Sequence, residues 1–186
     1  MNCDVEVVAY NSSWLQMFEA ESKLIKQALG SNCSVVHHIG STSVPGLSAK
    51  PIIDILPCVN SVLDVDKSVK SMEALGYESK GEFGISFRRF FQKKNYNVHV
   101  FEENNPEVSR HIKFRDWMRE HDDDANAYAA LKLDLAKKFS KDIESYCLGK
   151  DSFVANIDVL TGYDGWRMVK ALTHREWNAV RALRQE

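Results

Sequence analysis

The sequence predicts a mixed α/β (α+β) domain, with a small mixed sheet flanked by helices and a helical C-terminal half. Two features of the residue pattern carry this prediction. Up to residue 101, short β-branched apolar runs alternate with segments whose apolar residues recur every three or four positions. From residue 106 onward the patterns are helical. Strands interleaved with helices, followed by a run of helices, indicate this class of fold.

Helices are predicted where caps precede apolar residues at helical spacing. A capping box from Ser13 to Gln16 is expected to open the first helix, and Gly30 to close it. Asn105 and Pro106 are expected to cap and open a later helix. The predicted helical ranges are 13–29, 61–75, 106–120, 124–140 and 152–160, with a short helix after a further capping box at 173–176.

Strands are predicted where β-branched and aromatic residues form short runs. The predicted ranges are 34–39, 51–59, 85–92 and 96–101. The last two runs are separated only by Lys93-Lys94-Asn95, which predicts a hairpin. Arg88 and Arg89 are expected on opposite faces of its first strand, so at most one of them can face a pocket.

The composition is that of an ordinary globular domain with balanced charge. Of the 186 residues, 44% are hydrophobic, and 24 basic and 26 acidic residues leave a net charge of −2. This balance indicates neither a nucleic-acid partner nor a membrane partner. The chain shows no secretory signal and no apolar run of ~18 residues, and its four cysteines form no C-x-x-C pair. We therefore expect a cytoplasmic protein.

The segment HHIGSTSVPGLSAKPIIDI, residues 37–55, places polar residues between two apolar strands. Asp54 is costly to bury there unless a metal, a cation or hydrogen-bond donors meet it. The Gly-Ser turn offers backbone N–H groups and hydroxyls to an anion, and Lys50 adds a positive charge. The segment fits neither a P-loop nor a G-x-S-x-G nucleophile elbow. It predicts a phosphate site, with a tightly packed but inert turn as the alternative.

At HIGSTSVPGLSAKPIIDI the sequence resembles the signature of the GrpB family, whose domain resembles the nucleotidyltransferase fold. Later blocks are similar as well, and the resemblance covers about residues 5–160. It implies a GrpB-type domain at 1–160 and a helical C-terminal extension at 161–186, packed on the same domain. The later blocks are LGY at 75–77, ISFRRFF at 85–91, VHVF at 98–101, FRDWMRE at 114–120 and AYAALKLDLA at 127–136.

The nucleotidyltransferase resemblance implies a site in which a Gly-Ser turn holds phosphates and acids hold Mg²⁺ ions. Gly40 and Ser41 match the turn, and Asp54 matches the first acid. Leu56 stands at the second acid's position, and His99 stands where a third acid is expected. One carboxylate and one imidazole suit Mn²⁺ or Zn²⁺ better than Mg²⁺, or no metal at all.

The candidate site residues fall into two groups. Asp54, His99 and His38 are the catalytic candidates, and Asp54 with His99 would hold a divalent metal. The others would bind the phosphate-bearing ligand, for example a nucleotide. Several have a structural alternative, such as an internal ion pair for Arg115 with Asp116. The ligand-binding candidates are Gly40, Ser41, Thr42, Ser43, Lys50, Arg88, Arg115, Tyr128 and Lys132.

Two classes of function remain open at the level of sequence. The first is a domain that binds a nucleotide or another phosphate-bearing small molecule and carries out metal-assisted nucleotidyl transfer. The second is a non-catalytic ligand-sensing or partner-binding module, which Leu56 at the second acid's position favours. The family also resembles a domain appended to some dephospho-CoA kinases. An open polar pocket around Asp54 favours the enzyme, and an Asp54–Lys50 ion pair in a filled pocket favours the module. The extension at 161–186 could serve a homodimer or a protein partner.

Overall fold

The fold is described from a computed structural model that covers residues 5–163. Six α-helices lie in this range: α1 Ser13–Leu29, α2 Val69–Ala74, α3 Pro106–Glu120, α4 Asp122–Lys138, α5 Ile143–Leu148 and α6 Asp151–Leu160. Five strands accompany them: β1 Cys33–Ile39, β2 Ile53–Val59, β3 Glu78–Ser79, β4 Arg89–Lys93 and β5 Tyr96–Glu102.

The strands form one mixed sheet in the order β1-β2-β5-β4-β3. The pair β2–β5 is parallel, and the other three pairs are antiparallel. Helices cover both faces, and four of the helices follow the last strand. The predicted fold class, a small mixed sheet flanked by helices with a helical C-terminal half, is confirmed.

The side chains of strand β2 point alternately to the two faces of the sheet, so they belong to two different layers of the core. Ile53 and Ile55 belong to the cluster that packs under α1 and α2. Leu56 and Cys58 belong to a second cluster on the other face, against α3. Asp54 shares this second face, so the carboxylate lies between the sheet and the C-terminal helices.

Some local predictions are wrong. The capping box at Ser13 does not form; Ser13 N donates instead to the side chain of Asn11, 2.9 Å away. Range 61–75 divides into a 3₁₀ turn at Leu63–Ser68 and the short helix α2. Strand β4 begins at Arg89 rather than at 85, because Phe87 has φ of 63°, which extended backbone does not permit.

Other predictions are confirmed. Gly30 ends α1, β4 and β5 form the predicted hairpin, and the Asn105 side chain caps α3 by accepting from Glu107 N. Strand β3 and helix α5, of two and six residues, were not predicted because such short elements show no periodicity. The helix expected after 173–176 lies outside the described residues. Within 5–163, no helix is long and apolar enough to cross a membrane.

Candidate functional site

The turn after β1 is shaped by how closely Gly40 approaches Asp54. Ile39 pairs with Asp54 across β1 and β2, so the chain turns directly beside the carboxylate. Gly40 has φ of 68°, and a Cβ at this position would lie 2.6 Å from Asp54 Oδ2. Only glycine tolerates both the left-handed backbone and that separation. The Gly-Ser turn therefore requires glycine at position 40, where it passes beside Asp54.

Asp54 is held as a carboxylate by neighbours on β5. The parallel register places Asn97 beside it, and Asn97 Nδ2 donates to Oδ1 over 3.0 Å. His99 Nε2 lies 3.6 Å from the same oxygen. Burial by itself would raise the pKa of Asp54, but the His99 ring and the Asn97 amide outweigh it and leave the pKa below its usual value. Asp54 is therefore ionised at neutral pH.

Asp54 lies where two cavities meet, each of about 230 Å³. One of them is named the lysine cavity because Lys50, Lys132 and Lys150 line it, and most of its side chains are polar. The other is named the aromatic cavity, and its lining includes an Arg110–Asp158 ion pair of 2.8 Å. The lysine cavity is lined by Ser41, Thr42, Lys50, Asp54, Asn97, Lys132, Tyr146, Cys147 and Lys150, among others. The aromatic cavity is lined by Gly40, Asp54, His99, His111, Phe114 and Tyr128, among others.

Lys132 is the most deeply buried cation of the site. It is 2% exposed, its Nζ donates to Ser48 O, and the same atom lies 4.6 Å from the centre of the Tyr128 ring. Burial, and then repulsion by Lys150, lower the pKa of Lys132 to about 7. Burial also lowers the pKa of Lys150, although Cys147 and Asp54 partly offset this effect. In the described part of the chain, neither lysine forms an ion pair with a carboxylate.

The lowered pKa of Lys132 predicts a specific pH dependence of stability. In the unfolded chain lysine keeps its proton up to a pKa of 10.5, whereas in the folded protein Lys132 loses it near pH 7. Between these pH values the unfolded state binds more protons, so the free energy of unfolding rises with pH. We expect Lys132→Met to flatten this slope, by at most about 1.4 kcal/mol per pH unit.

The measurement is urea unfolding at pH 7, 8 and 9. Lys137→Met is the matched control, because Lys137 lies on the same helix and is exposed. It should keep the slope of the wild-type protein. Equal slopes in wild type and Lys132→Met would contradict the lowered pKa.

The structure brings most of the predicted residues together. Gly40, Asp54, His99 and Tyr128 line the aromatic cavity, and Ser41, Thr42, Lys50, Asp54 and Lys132 line the lysine cavity. Tyr128 and Lys132 contact each other, as their four-residue spacing predicted. Arg88 precedes β4 and reaches the site indirectly, through a contact of Nη1 with His99 Nδ1 over 3.2 Å. Asp54 therefore adjoins open polar space and contacts Asn97 and His99, as the open-pocket alternative expected.

Besides Arg88, three predicted residues do not line either cavity. His38 points to the other face of the sheet, where it stacks on Phe18 of α1 with 4.6 Å between ring centres, and burial lowers its pKa to about 4. The hydroxyl of Ser43 donates to Gly40 O over 2.6 Å and so belongs to the turn itself.

Arg115 is the third of these residues. It forms a two-pronged ion pair with Asp116, with N–O distances of 2.7 and 3.1 Å, and it donates to His38 O. This is the structural alternative that the sequence left open, an internal ion pair that holds α3 against the sheet.

Sequence reasoning missed several residues of the site, among them Arg110, His111 and Lys150. Arg110 and His111 line the aromatic cavity one turn before Phe114, and their three- and four-residue spacing from Phe114 could have revealed them. Lys150 lies in the link between α5 and α6, where no periodicity marks it. Its position in the lysine cavity depends on the packing of the two helices.

In the described residues, no three histidine, cysteine or acidic side chains cluster closely enough to hold a metal ion. The predicted pair of Asp54 and His99 supplies two such side chains, 3.6 Å apart. Asp54 already accepts a hydrogen bond from Asn97, and His99 contacts Arg88.

The fold and the site define a mixed α/β domain with two joined cavities around one carboxylate. The chain belongs to the GrpB family: the family model described as GrpB protein matches residues 4–159. The family resemblance stated from the sequence is thereby confirmed.

Known proteins agree with this assignment. The UPF0157 protein YqkA of Bacillus subtilis is 42% identical over 154 residues, which are 81% of this chain and 45% of YqkA. This chain thus spans less than half of that relative. The crystal structure of the conserved protein GrpB from Enterococcus faecalis matches with a TM-score of 0.81 and 40% identity, covering 84% of this chain and 96% of that chain.

Two more distant similarities were found. A dephospho-CoA kinase of Mycolicibacterium paratuberculosis is 24% identical over 176 residues, which are 79% of this chain and 43% of the kinase. This match confirms the predicted resemblance to such kinases. The structure of a cytoplasmic RNA terminal U-transferase matches with a TM-score of 0.44 and 12% identity, over 69% of this chain and 38% of that chain. A likeness at that level carries no inference.

Proposed function

We propose that this GrpB domain binds a nucleotide or another phosphate-bearing small molecule, with the phosphates in the lysine cavity. The observation that carries the proposal is that the buried Lys132 and the half-buried Lys150 line one cavity without an ion-paired carboxylate. Two neighbouring ammonium groups are costly there, because at least one of them is removed from water. A bound phosphate supplies the missing negative charge and accepts hydrogen bonds from both lysines.

The other walls of the lysine cavity suit the same ligand. Ser41 and Thr42 belong to the Gly-Ser turn, and Lys50 adds a third cation. Asp54, where the two cavities meet, repels phosphate oxygens, so the phosphates occupy the part of the lysine cavity nearest the lysines. Its ionised carboxylate instead accepts a hydrogen bond from a hydroxyl or amine of the ligand. The organic part of the ligand then extends into the aromatic cavity.

The open polar space beside Asp54 is what the enzyme alternative expected, but the acidic residues of the site favour ligand sensing over nucleotidyl transfer. Leu56, at the position where the nucleotidyltransferase pattern has its second acid, is fully buried in the core. A carboxylate whose pKa is lowered is also a weak general base. Transfer activity is therefore an outcome to be tested, and binding is the function proposed.

A thermal-shift panel tests the proposal. The ligands are orthophosphate, pyrophosphate, nucleoside triphosphates and coenzyme A precursors, each with EDTA, Mg²⁺ or Mn²⁺. A ligand at about a hundred times its Kd adds about 2.7 kcal/mol, which raises Tm by several degrees. We expect such a shift for wild type and for Lys137→Met, and its loss in Lys132→Met.

Two results would count against the proposal. One is no shift with any of these ligands, which would favour a module that binds a protein partner. The other is an equal shift in wild type and Lys132→Met, which would place the phosphate elsewhere. Release of pyrophosphate from a triphosphate by wild type, but not by Asp54→Asn, would restore transfer as the function.

A further inference from the structure

Arg88 connects the loop before β4 to the centre of the site. It is 5% exposed, its Nη2 donates to Phe83 O over 2.6 Å, and its Nε donates to Glu82 O over 3.2 Å. The remaining nitrogen, Nη1, lies 3.2 Å from His99 Nδ1. The guanidinium also lies over the Phe90 ring, 4.8 Å from its centre. Several contacts therefore fix how Arg88 meets the imidazole.

The contact with Arg88 determines which nitrogen of His99 carries the proton. A guanidinium has donors and no acceptor, so His99 Nδ1 must accept the hydrogen bond. A neutral imidazole that accepts at one nitrogen is protonated at the other. His99 Nε2 is therefore an N–H group, and it faces Asp54 Oδ1 at 3.6 Å.

This protonation pattern determines whether a metal ion can bind between His99 and Asp54. A separation of 3.6 Å between Nε2 and Oδ1 is one that a single ion could bridge, with bonds of about 2.1 Å to each atom. Metal binding requires a lone pair on the nitrogen, however, and the lone pair of His99 lies on Nδ1, directed at Arg88. Without Arg88, the ring could adopt the other tautomer and offer Nε2 to a metal. The residues present do not fit the metal that the sequence pattern suggested.

We propose that Arg88 is a positioning residue that holds His99 as the Nε2–H tautomer and thereby makes the Asp54–His99 pair a metal-free hydrogen-bonding site. The pair then offers a ligand one N–H donor and one carboxylate acceptor, in place of a bound cation. The tautomer of His99 is inferred from the geometry alone. The role of the Asp54–His99 pair in ligand recognition rests on the proposed function. In that use, phosphate binding depends on the lysines and is independent of divalent metal.

The protonation pattern can be measured directly by NMR of ¹⁵N-histidine-labelled protein, with His99 assigned through the variant His99→Gln. We expect wild-type His99 to show a protonated Nε2 and an unprotonated, hydrogen-bonded Nδ1. Arg88→Lys keeps a donor and should retain this pattern. Arg88→Met removes the donor and should move the Nδ1 resonance toward that of a nitrogen without a hydrogen bond, while Asp54 still favours a proton on Nε2 until a metal displaces it. A wild-type ring that carries its proton on Nδ1 would overturn the inference.

Metal affinity provides a second readout, measured by titration with Mn²⁺ and detected by electron paramagnetic resonance. We expect Arg88→Met to bind Mn²⁺ at least about tenfold more tightly than wild type or Arg88→Lys. Adding His99→Gln to Arg88→Met should abolish the gain. Stoichiometric Mn²⁺ binding by wild type that is lost in His99→Gln would overturn the inference.

Neither readout uses a phosphate ligand, so failure here is distinguishable from failure of the proposed function. If Arg88→Met does not fold, the wild-type NMR spectrum and the wild-type titration still decide the inference.

Discussion

Replacing Gly40 with alanine is expected to lower the free energy of unfolding by about 2–5 kcal/mol and to displace the carboxylate of Asp54. Two costs add at this position. An alanine at φ of 68° costs about 1–2 kcal/mol, because Cβ crowds the backbone in the left-handed region. The new Cβ would also lie 2.6 Å from Asp54 Oδ2, and overpacking of this kind costs about 1–3 kcal/mol.

The variant Gly46→Ala is the control that carries the backbone cost without the steric one. Gly46 has φ of 80°, and a Cβ there would meet no atom within 4 Å. It should therefore lose only the backbone part, about 1–2 kcal/mol. Urea unfolding of the two variants measures the difference. Removing the carboxylate with Asp54→Ala should recover part of the loss in Gly40→Ala, and equal losses at Gly40 and Gly46 would show that Asp54 does not approach the turn so closely.

Replacing Glu21 with alanine should lower the free energy of unfolding by about 2–4 kcal/mol, since an ion pair loses one partner. Glu21 is 6% exposed. Its Oε1 accepts from Lys93 Nζ over 2.6 Å and from the Tyr77 hydroxyl over 2.9 Å. The substitution deprives the Lys93 ammonium and the Tyr77 hydroxyl of the Glu21 carboxylate as their hydrogen-bond acceptor beneath α1. Since the Lys93 side chain is 20% exposed, water reduces the cost below that of a fully buried pair.

Glu19→Ala is the matched control for Glu21. Glu19 lies on the same helix and is exposed. Its replacement should change the free energy of unfolding by no more than about 0.5 kcal/mol. Both variants are compared with wild type by urea denaturation at pH 7. A loss in Glu21→Ala no larger than that in Glu19→Ala would show that the cluster with Lys93 and Tyr77 contributes nothing.

The sequence predicts well those features that depend on local pattern. Alternation in β2 places Asp54 on the face opposite Ile53 and Ile55, and the structure agrees. The Lys93-Lys94-Asn95 link indicates the hairpin, because a polar link that short leaves the flanking strands little choice but to pair. The Gly-Ser turn was identified from its composition alone. The turn requires glycine because Gly40 lies close to Asp54, and this close approach depends on the pairing between strands.

Features that depend on long-range packing could not be predicted. Lys150 reaches the lysine cavity only because α5 and α6 fold back over the turn region. Arg88 was expected on a strand, but the left-handed conformations of Phe83 and Phe87 place it before the strand, where it meets His99. His38 was expected near the ligand, and nothing in the sequence shows that Phe18 of α1 covers it.

The central claim, that phosphates bind beside Lys132, is tested most directly by a pH titration of the lysine side-chain amines by NMR. The experiment compares free protein with protein in pyrophosphate, at matched ionic strength, and Lys132→Met assigns the signal. We expect Lys132 to titrate near its lowered pKa of about 7 in the free protein. Pyrophosphate should raise that pKa, because a bound anion favours the ammonium form. A Lys132 signal and pKa that saturating pyrophosphate leaves unchanged would contradict the account.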